Sequence, residues 1–181
     1  VIDPEDLLKN LSAEDDEELD QEEILRDAKE LFSTALYYLS CGDFSEAHDA
    51  AVEARDLFDQ LNLAKESAEA RLVMGFVQYQ LGDFKAALPM LASAQQQFSS
   101  VGRKDQQYAT LYLLAYCHLG LEKPSKAIYT LKLAQSIIKS NPEILNTEKE
   151  KNETMFLPDI KSVNEAMSLM LKDLEDKYPE S

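Results

Sequence analysis

The sequence predicts an all-α protein built as a solenoid of three stacked helix pairs, and three observations carry that expectation. Small residues recur at a constant offset of forty, as Ala35/Gly75/Ala115, Ala47/Ala87/Ala127 and Ala54/Ala94/Ala134. Turn signals recur with them: Gly42-Asp43-Phe44, then Gly82-Asp83-Phe84, with Glu122-Lys123-Pro124 in the third segment. The composition favours helix throughout, with five glycines and six prolines in 181 residues and long stretches rich in Ala, Leu, Glu, Gln and Lys. A helix pair of this size cannot bury its apolar faces alone, so the pairs must stack.

The elements follow in order. Residues 1–20 read as an acidic segment with a short amphipathic helix, because Pro4 and neighbouring acids suit a first helical turn and Leu7, Leu8 and Leu11 share a face. The run Glu14-Asp15-Asp16-Glu17-Glu18 repels itself and is expected to be a solvated linker. Residues 21–141 hold the three pairs. A first helix is expected from Asp20 to about Ser40 and its return helix to about Leu61; the second pair is expected over 64–81 and 84–98, and the third over 104–119 and 124–139. Residues 142–181 form a terminal region. Its final helix begins near Pro158 and repeats Ile160, Val163, Met167, Met170/Leu171 and Leu174 on one face, as expected of a cap on the last pair. Such a Met-bearing face is also a candidate for swinging out to a partner or for dimerisation.

Composition narrows the function. An apolar content of 45% supplies a continuous core. The net charge is -16, and residues 1–30 hold thirteen acids against three bases, leaving the remainder only mildly acidic. That balance argues against nucleic acid or an anionic membrane as the main partner, since both require a Lys/Arg-rich face. A basic peptide is compatible with it. Two unrelated cysteines, Cys41 and Cys117, and the absence of a signal peptide or an apolar run near 18 residues lead to an expectation of a cytoplasmic, or alternatively nuclear, protein with reduced thiols.

The run Met74-Gly75-Phe76-Val77-Gln78-Tyr79-Gln80-Leu81-Gly82-Asp83-Phe84-Lys85-Ala86-Ala87-Leu88 resembles the core of a tetratricopeptide (TPR) repeat. The small residue, the Leu-Gly-Asp-aromatic turn and the following Ala stand at that family's spacing. The forty-residue period, longer than the common one near thirty-four, resembles the long-helix subclass found in spindle-orientation scaffolds and related bacterial regulators, and Glu69-Ala70-Arg71 fits it. The resemblance spans about residues 24–140 and is weakest in the third repeat, where Glu122 replaces the turn glycine and Pro124 the aromatic. It implies a right-handed superhelix whose first helices line a concave groove.

In that family the groove columns read here Phe32/Leu72/Tyr112, Leu36/Phe76/Tyr116 and Leu39/Tyr79/Leu119, all apolar or aromatic. The Lys/Asn/Arg clamp by which family co-chaperones grip an acidic chaperone tail is missing. So is the Asn that spindle-orientation scaffolds place at the positions of Leu36, Phe76 and Tyr116 to hold a ligand backbone. The expectation is an oily trough covered by a partner's amphipathic helix or hydrophobic peptide, by the chain's own opening or final helix, or by a second copy in a homodimer. The alternative is that these side chains pack between the protein's own helices. Phe32, Phe76, Tyr79, Tyr112 and Tyr116 are the expected anchors, and Phe76→Asp is expected to abolish binding without unfolding.

No catalytic, cofactor or metal motif is visible. His48 and His118 lie in neither an H-E-x-x-H pair nor a zinc-ligand spacing, and Cys117-His118 are neighbours on a helix that face different ways. Phosphate-binding glycine loops and G-x-S-x-G are absent. The leading expectation is a non-enzymatic protein-interaction adaptor or scaffold; the alternatives are a chaperone shielding a hydrophobic client segment and a self-assembling scaffold.

Overall fold

The computed structural model describes residues 4–146 and 159–179, with side chains from Asp20 onward. Six helices pair in sequence: α1 (Pro4–Cys41) with α2 (Phe44–Gln60), α3 (Ala64–Gln80) with α4 (Phe84–Ser100), and α5 (Lys104–Gly120) with α6 (Pro124–Ser140). A 3-10 turn, Pro142–Asn146, follows, and α7 runs from Ile160 to Lys177. No strand occurs among the described residues.

Each of α2 to α6 is 17 residues long, and the joints between helices keep strict time. The five turns place one residue each in the left-handed region: Gly42 (φ 82°), Asn62 (57°), Gly82 (76°), Gly102 (77°) and Glu122 (56°). At every turn the next amide reaches back to a carbonyl of the preceding helix, as from Asp43 to Tyr38 (3.0 Å), Leu63 to Phe58 (2.9 Å), Asp83 to Gln78 (2.9 Å), Arg103 to Phe98 (2.9 Å) and Lys123 to His118 (2.8 Å). This is the Schellman ending, which satisfies orphan carbonyls at the cost of one left-handed residue. The structural period is thus twenty residues as well as forty.

One expectation is corrected at the start of the chain. The linker expected over Glu14–Glu18 is instead helical, and α1 runs unbroken for 38 residues. No glycine or proline lies between Glu5 and Cys41, glutamate is a good helix former, and extending an existing helix costs far less than nucleating one. The side chains of Leu7, Leu8 and Leu11 lie outside the described ones.

The small-residue columns are where the helices cross closest. Ala35, Ala115 and the Ala47/Ala87/Ala127 and Ala54/Ala94/Ala134 sets are all buried. At Gly75 a Cβ would stand 2.7 Å from the Leu91 side chain of α4, so only glycine fits there without repacking. Helices α3 and α5 are buried nearly all round over residues 72–77 and 106–115 because neighbours surround them: each packs on the even helix before it, the even helix after it and the next odd helix. Odd helices touch odd helices, whereas the even ones are held apart, so the odd helices form the inner face of the stack.

The two ends of the described stack differ from its middle, and each exposes a large side chain, Tyr37 on α1 and Leu169 on α7. Where α3 and α5 bury Ala70/Thr110, Val73/Leu113 and Val77/Cys117 against a preceding helix, α1 carries Glu30, Ser33 and Tyr37, all exposed. At the far end α7 lies against α5 and α6, where the first helix of a further pair would sit. It buries Val163, Met167, Leu171 and Leu174, the face the sequence singled out. Asp159 caps it, accepting from the Ser162 amide (3.0 Å) and hydroxyl (2.6 Å). Tyr108 donates to Asn164 Oδ1 (2.9 Å) and Lys132 pairs with Glu175 (3.1 Å), which fixes the register of α7 on the last pair.

Candidate functional site: the inner face

The nine positions expected to line a groove divide into two kinds. Leu72 is 0% exposed, Phe76 8% and Leu39 9%, and all three belong to the main core. Phe32, Leu36, Tyr79, Tyr112 and Leu119 are half-buried at its edge, and Tyr116 is half-buried beside Tyr79 and Tyr112. An aspartate at Phe76 would therefore bury a carboxylate in the core, and that substitution tests stability rather than binding. Phe32 packs edge-on against Phe58 of α2 (6.1 Å between ring centres) and joins a smaller cluster with Ala28, Ala54 and Ala70.

The rings of α3 and α5 come together. Tyr79 stands 6.0 Å from Phe76 and 6.3 Å, edge-on, from Tyr116, which meets Tyr112 edge-on at 4.8 Å. The Tyr112 hydroxyl donates to the Tyr116 hydroxyl at 3.5 Å. Burial pushes the Tyr79 hydroxyl above its ordinary range, with Tyr116 and Cys117 adding to the effect. Burial likewise raises Tyr112, and its bond to Tyr116 adds to the shift. The inner face at this end is thus aromatic.

Two contributors were not read from the sequence. Phe84, at the start of α4, adds its ring to the cluster, 6.0 Å from Tyr79. It fits because position 120 is glycine: a Cβ there would fall 2.3 Å from the Phe84 ring. The signal was Gly120 itself, which stands where the other repeats have Ser40 and Gln80. The second is a polar patch toward the helix N-termini, where Gln106 donates to Glu69 (2.9 Å) and Lys65 pairs with Glu69 (3.8 Å), tying α5 to α3.

Elsewhere, an inter-hairpin tie holds α2 to α3: Arg71 bonds Asp59 Oδ2 (2.7 Å) while Ser67 donates to Asp59 Oδ1 (2.5 Å). Burial works to raise the Asp59 carboxyl, but these bonds outweigh it and hold the group below its ordinary range. Cys117 is buried and its thiol is pushed up to about 11 by that burial, so it is no thiolate nucleophile at neutral pH. His118 is held below its usual range by burial, with Lys126 and Lys123 adding to the effect. Among the described residues no three His, Cys, Asp or Glu side chains gather to hold a metal ion, and no helix is long and apolar enough to cross a membrane.

The architecture is matched by a solved structure. A TPR-like protein of Chlorobium tepidum superposes with a TM-score of 0.63 at 18% identity, over 85% of this chain and 98% of that one. The fold is a TPR-like helical solenoid. No protein-family model and no curated protein matches the sequence.

Proposed function

We propose that this TPR-like solenoid is a non-catalytic adaptor or scaffold of the long-repeat kind, which holds a segment of a partner protein against the inner face of its odd helices. The observation that carries this reading is the cluster of Tyr79, Tyr112 and Tyr116, whose rings meet across α3 and α5 and stay half-buried on the inner face, with Phe84 of α4 against Tyr79. Aromatic side chains in such settings supply much of the energy of protein recognition. Leu36 and Leu119 extend the surface along α1 and α5. Free thiols at both cysteines accord with a cytoplasmic setting.

The test is selection of binders from a random displayed-peptide library, followed by affinity measurement against the native protein and a Tyr79→Ala/Tyr116→Ala variant. The reading expects peptides that lose about tenfold or more in affinity for the variant while its thermal unfolding stays cooperative. Peptides that bind both forms equally would place the interaction elsewhere.

A further inference from the structure

The outer face of the stack carries a charge order that the inner face does not. The even helices are held apart from one another and turn their exposed positions outward. Helix α2 holds five acids against one arginine, α4 a single lysine, and α6 three lysines and no acid, so the face runs from -4 through +1 to +3. Beyond Lys85, the exposed line of α4 is Pro89, Ala92, Gln96 and Ser100, without charge in a chain of which 29% is charged. Depletion of charge at the centre, with charges kept to the rim, is the composition of a protein interface. Next to it on α6 stands Tyr129, 72% exposed and the most open large hydrophobic residue among those described.

This order is complementary to itself. Two copies can meet face to face about either of two twofold axes. An axis across the helices would oppose α2 to α2 and α6 to α6, acid on acid and lysine on lysine. An axis running along α4 instead lays α4 on its own mate and α2 on α6 of the other copy, with equal repeat positions opposed. Glu46 then faces Lys126, Asp59 faces Lys139 and Asp49 faces Tyr129, each contact occurring twice. Glu46, Lys126 and Lys139 have no ion-pair partner of their own among the described residues, whereas Lys132 is taken up by Glu175. Asp59, though held by Arg71, keeps 42% of its side chain exposed.

The net charge of -16 does not forbid the contact. Thirteen of the acids, against three bases, fall in residues 1–30, mostly on α1 in the inner layer behind α2, and salt screens exposed charges farther apart than about 8 Å. Lys85 meets its own mate only at the edge of the face, near the start of α4. We infer that the outer face of the even helices is a self-complementary interface, at which two copies of this chain pair about a twofold axis along α4. The uncharged line of α4 forms its centre, and acid on α2 meets lysine on α6 at both rims. Because the odd helices lie in the opposite layer, both inner faces stay open in the pair.

Sedimentation velocity of the full chain, from about 1 to about 200 micromolar, should show a dimer that grows with concentration. Lys126→Glu and Glu46→Lys each set like charges against each other at two symmetry-related places, and each should weaken the dimer about tenfold or more. Both positions are exposed, so circular dichroism should report an unchanged fold. An equimolar mixture of the two variants has opposite charges at both places again and should dimerise about as tightly as the native chain. In a Cys41→Ser background, Ala92→Cys beside the axis should form a disulfide with its own mate under mild oxidation, and Tyr37→Cys on the end face should not. The Tyr79→Ala/Tyr116→Ala variant should pair like the native chain, so failure of the adaptor reading and failure of this one are told apart. A native chain that stays monomeric throughout overturns the inference. So does a dimer indifferent to both charge variants, a mixture no tighter than either variant alone, or cross-linking at position 37 and not at 92.

Discussion

Replacing Glu122 with glycine should stabilise the protein. Glu122 holds the left-handed position of the α5–α6 turn at φ 56°, where three of the other four turns have glycine and the fourth has Asn62, a residue that tolerates that region. The helix ending around it is intact, with Glu122 and Lys123 amides reaching Leu119 (2.9 Å) and His118 (2.8 Å), so the substitution removes no hydrogen bond. Its side chain is exposed. A side chain in this region costs about 1–2 kcal/mol, against which glycine gives back about 0.4–1 kcal/mol by loosening the unfolded chain. The net gain is about 0.5–1 kcal/mol, or roughly 1–4 °C in a chain of this size. Gly82→Ala is the mirror experiment, since a Cβ there meets nothing within 4 Å and its cost is conformational alone. Urea unfolding followed by circular dichroism at 222 nm should move the two midpoints in opposite directions, with Asn62→Gly nearly silent. A lower midpoint for Glu122→Gly, or an unchanged one for Gly82→Ala, would refute the reasoning.

Other outcomes follow from single contacts. Gly120→Ala should destabilise by about 1–3 kcal/mol by overpacking, because the new methyl meets the Phe84 ring, and tyrosine-ring chemical shifts around Tyr79 should move with it. Tyr108→Phe removes the bond to Asn164 and should cost about 0.5–1.5 kcal/mol, with faster hydrogen exchange confined chiefly to α7. Asp59 has a folded-state carboxyl held below its ordinary value of 3.8, because the bonds from Arg71 and Ser67 outweigh the opposing effect of burial. Its contribution is therefore complete above about pH 4 and disappears as pH falls through the lower folded value, so Asp59→Asn should flatten that part of the stability–pH curve. A thiol reagent should titrate the exposed Cys41 in the native protein and reach the buried Cys117 only after unfolding.

The architecture was legible because its constraints are short-range and repeated. The Ala/Gly columns mark helix crossings, and Gly42 and Gly82 mark two of five equivalent turns. Asn62 and Gly102 hold the same role in the turns between pairs, which a forty-residue comparison hides because it sets one beside the other and conceals the twenty-residue step. The continuity of α1 is not legible in the charge pattern, because repulsion in Glu14–Glu18 costs less than breaking and renucleating a helix that is free of Gly and Pro from Glu5 to Cys41. At the inner face, the column pattern brought Tyr79, Tyr112 and Tyr116 to one surface but could not separate them from Leu72, Phe76 and Leu39. Whether such a side chain is sealed depends on how closely successive odd helices approach, which no local pattern encodes.

The measurement that bears most directly on the inner face as a docking surface is a nuclear magnetic resonance titration of the protein carrying 13C-labelled tyrosine rings, using the highest-affinity peptide from library selection. Eight tyrosines report at once. Saturable shifts of Tyr79, Tyr112 and Tyr116, with the exposed Tyr37 and Tyr129 unmoved, are the predicted result. Saturation that moves Tyr37 or Tyr129 and leaves the three inner rings at their free positions would contradict it.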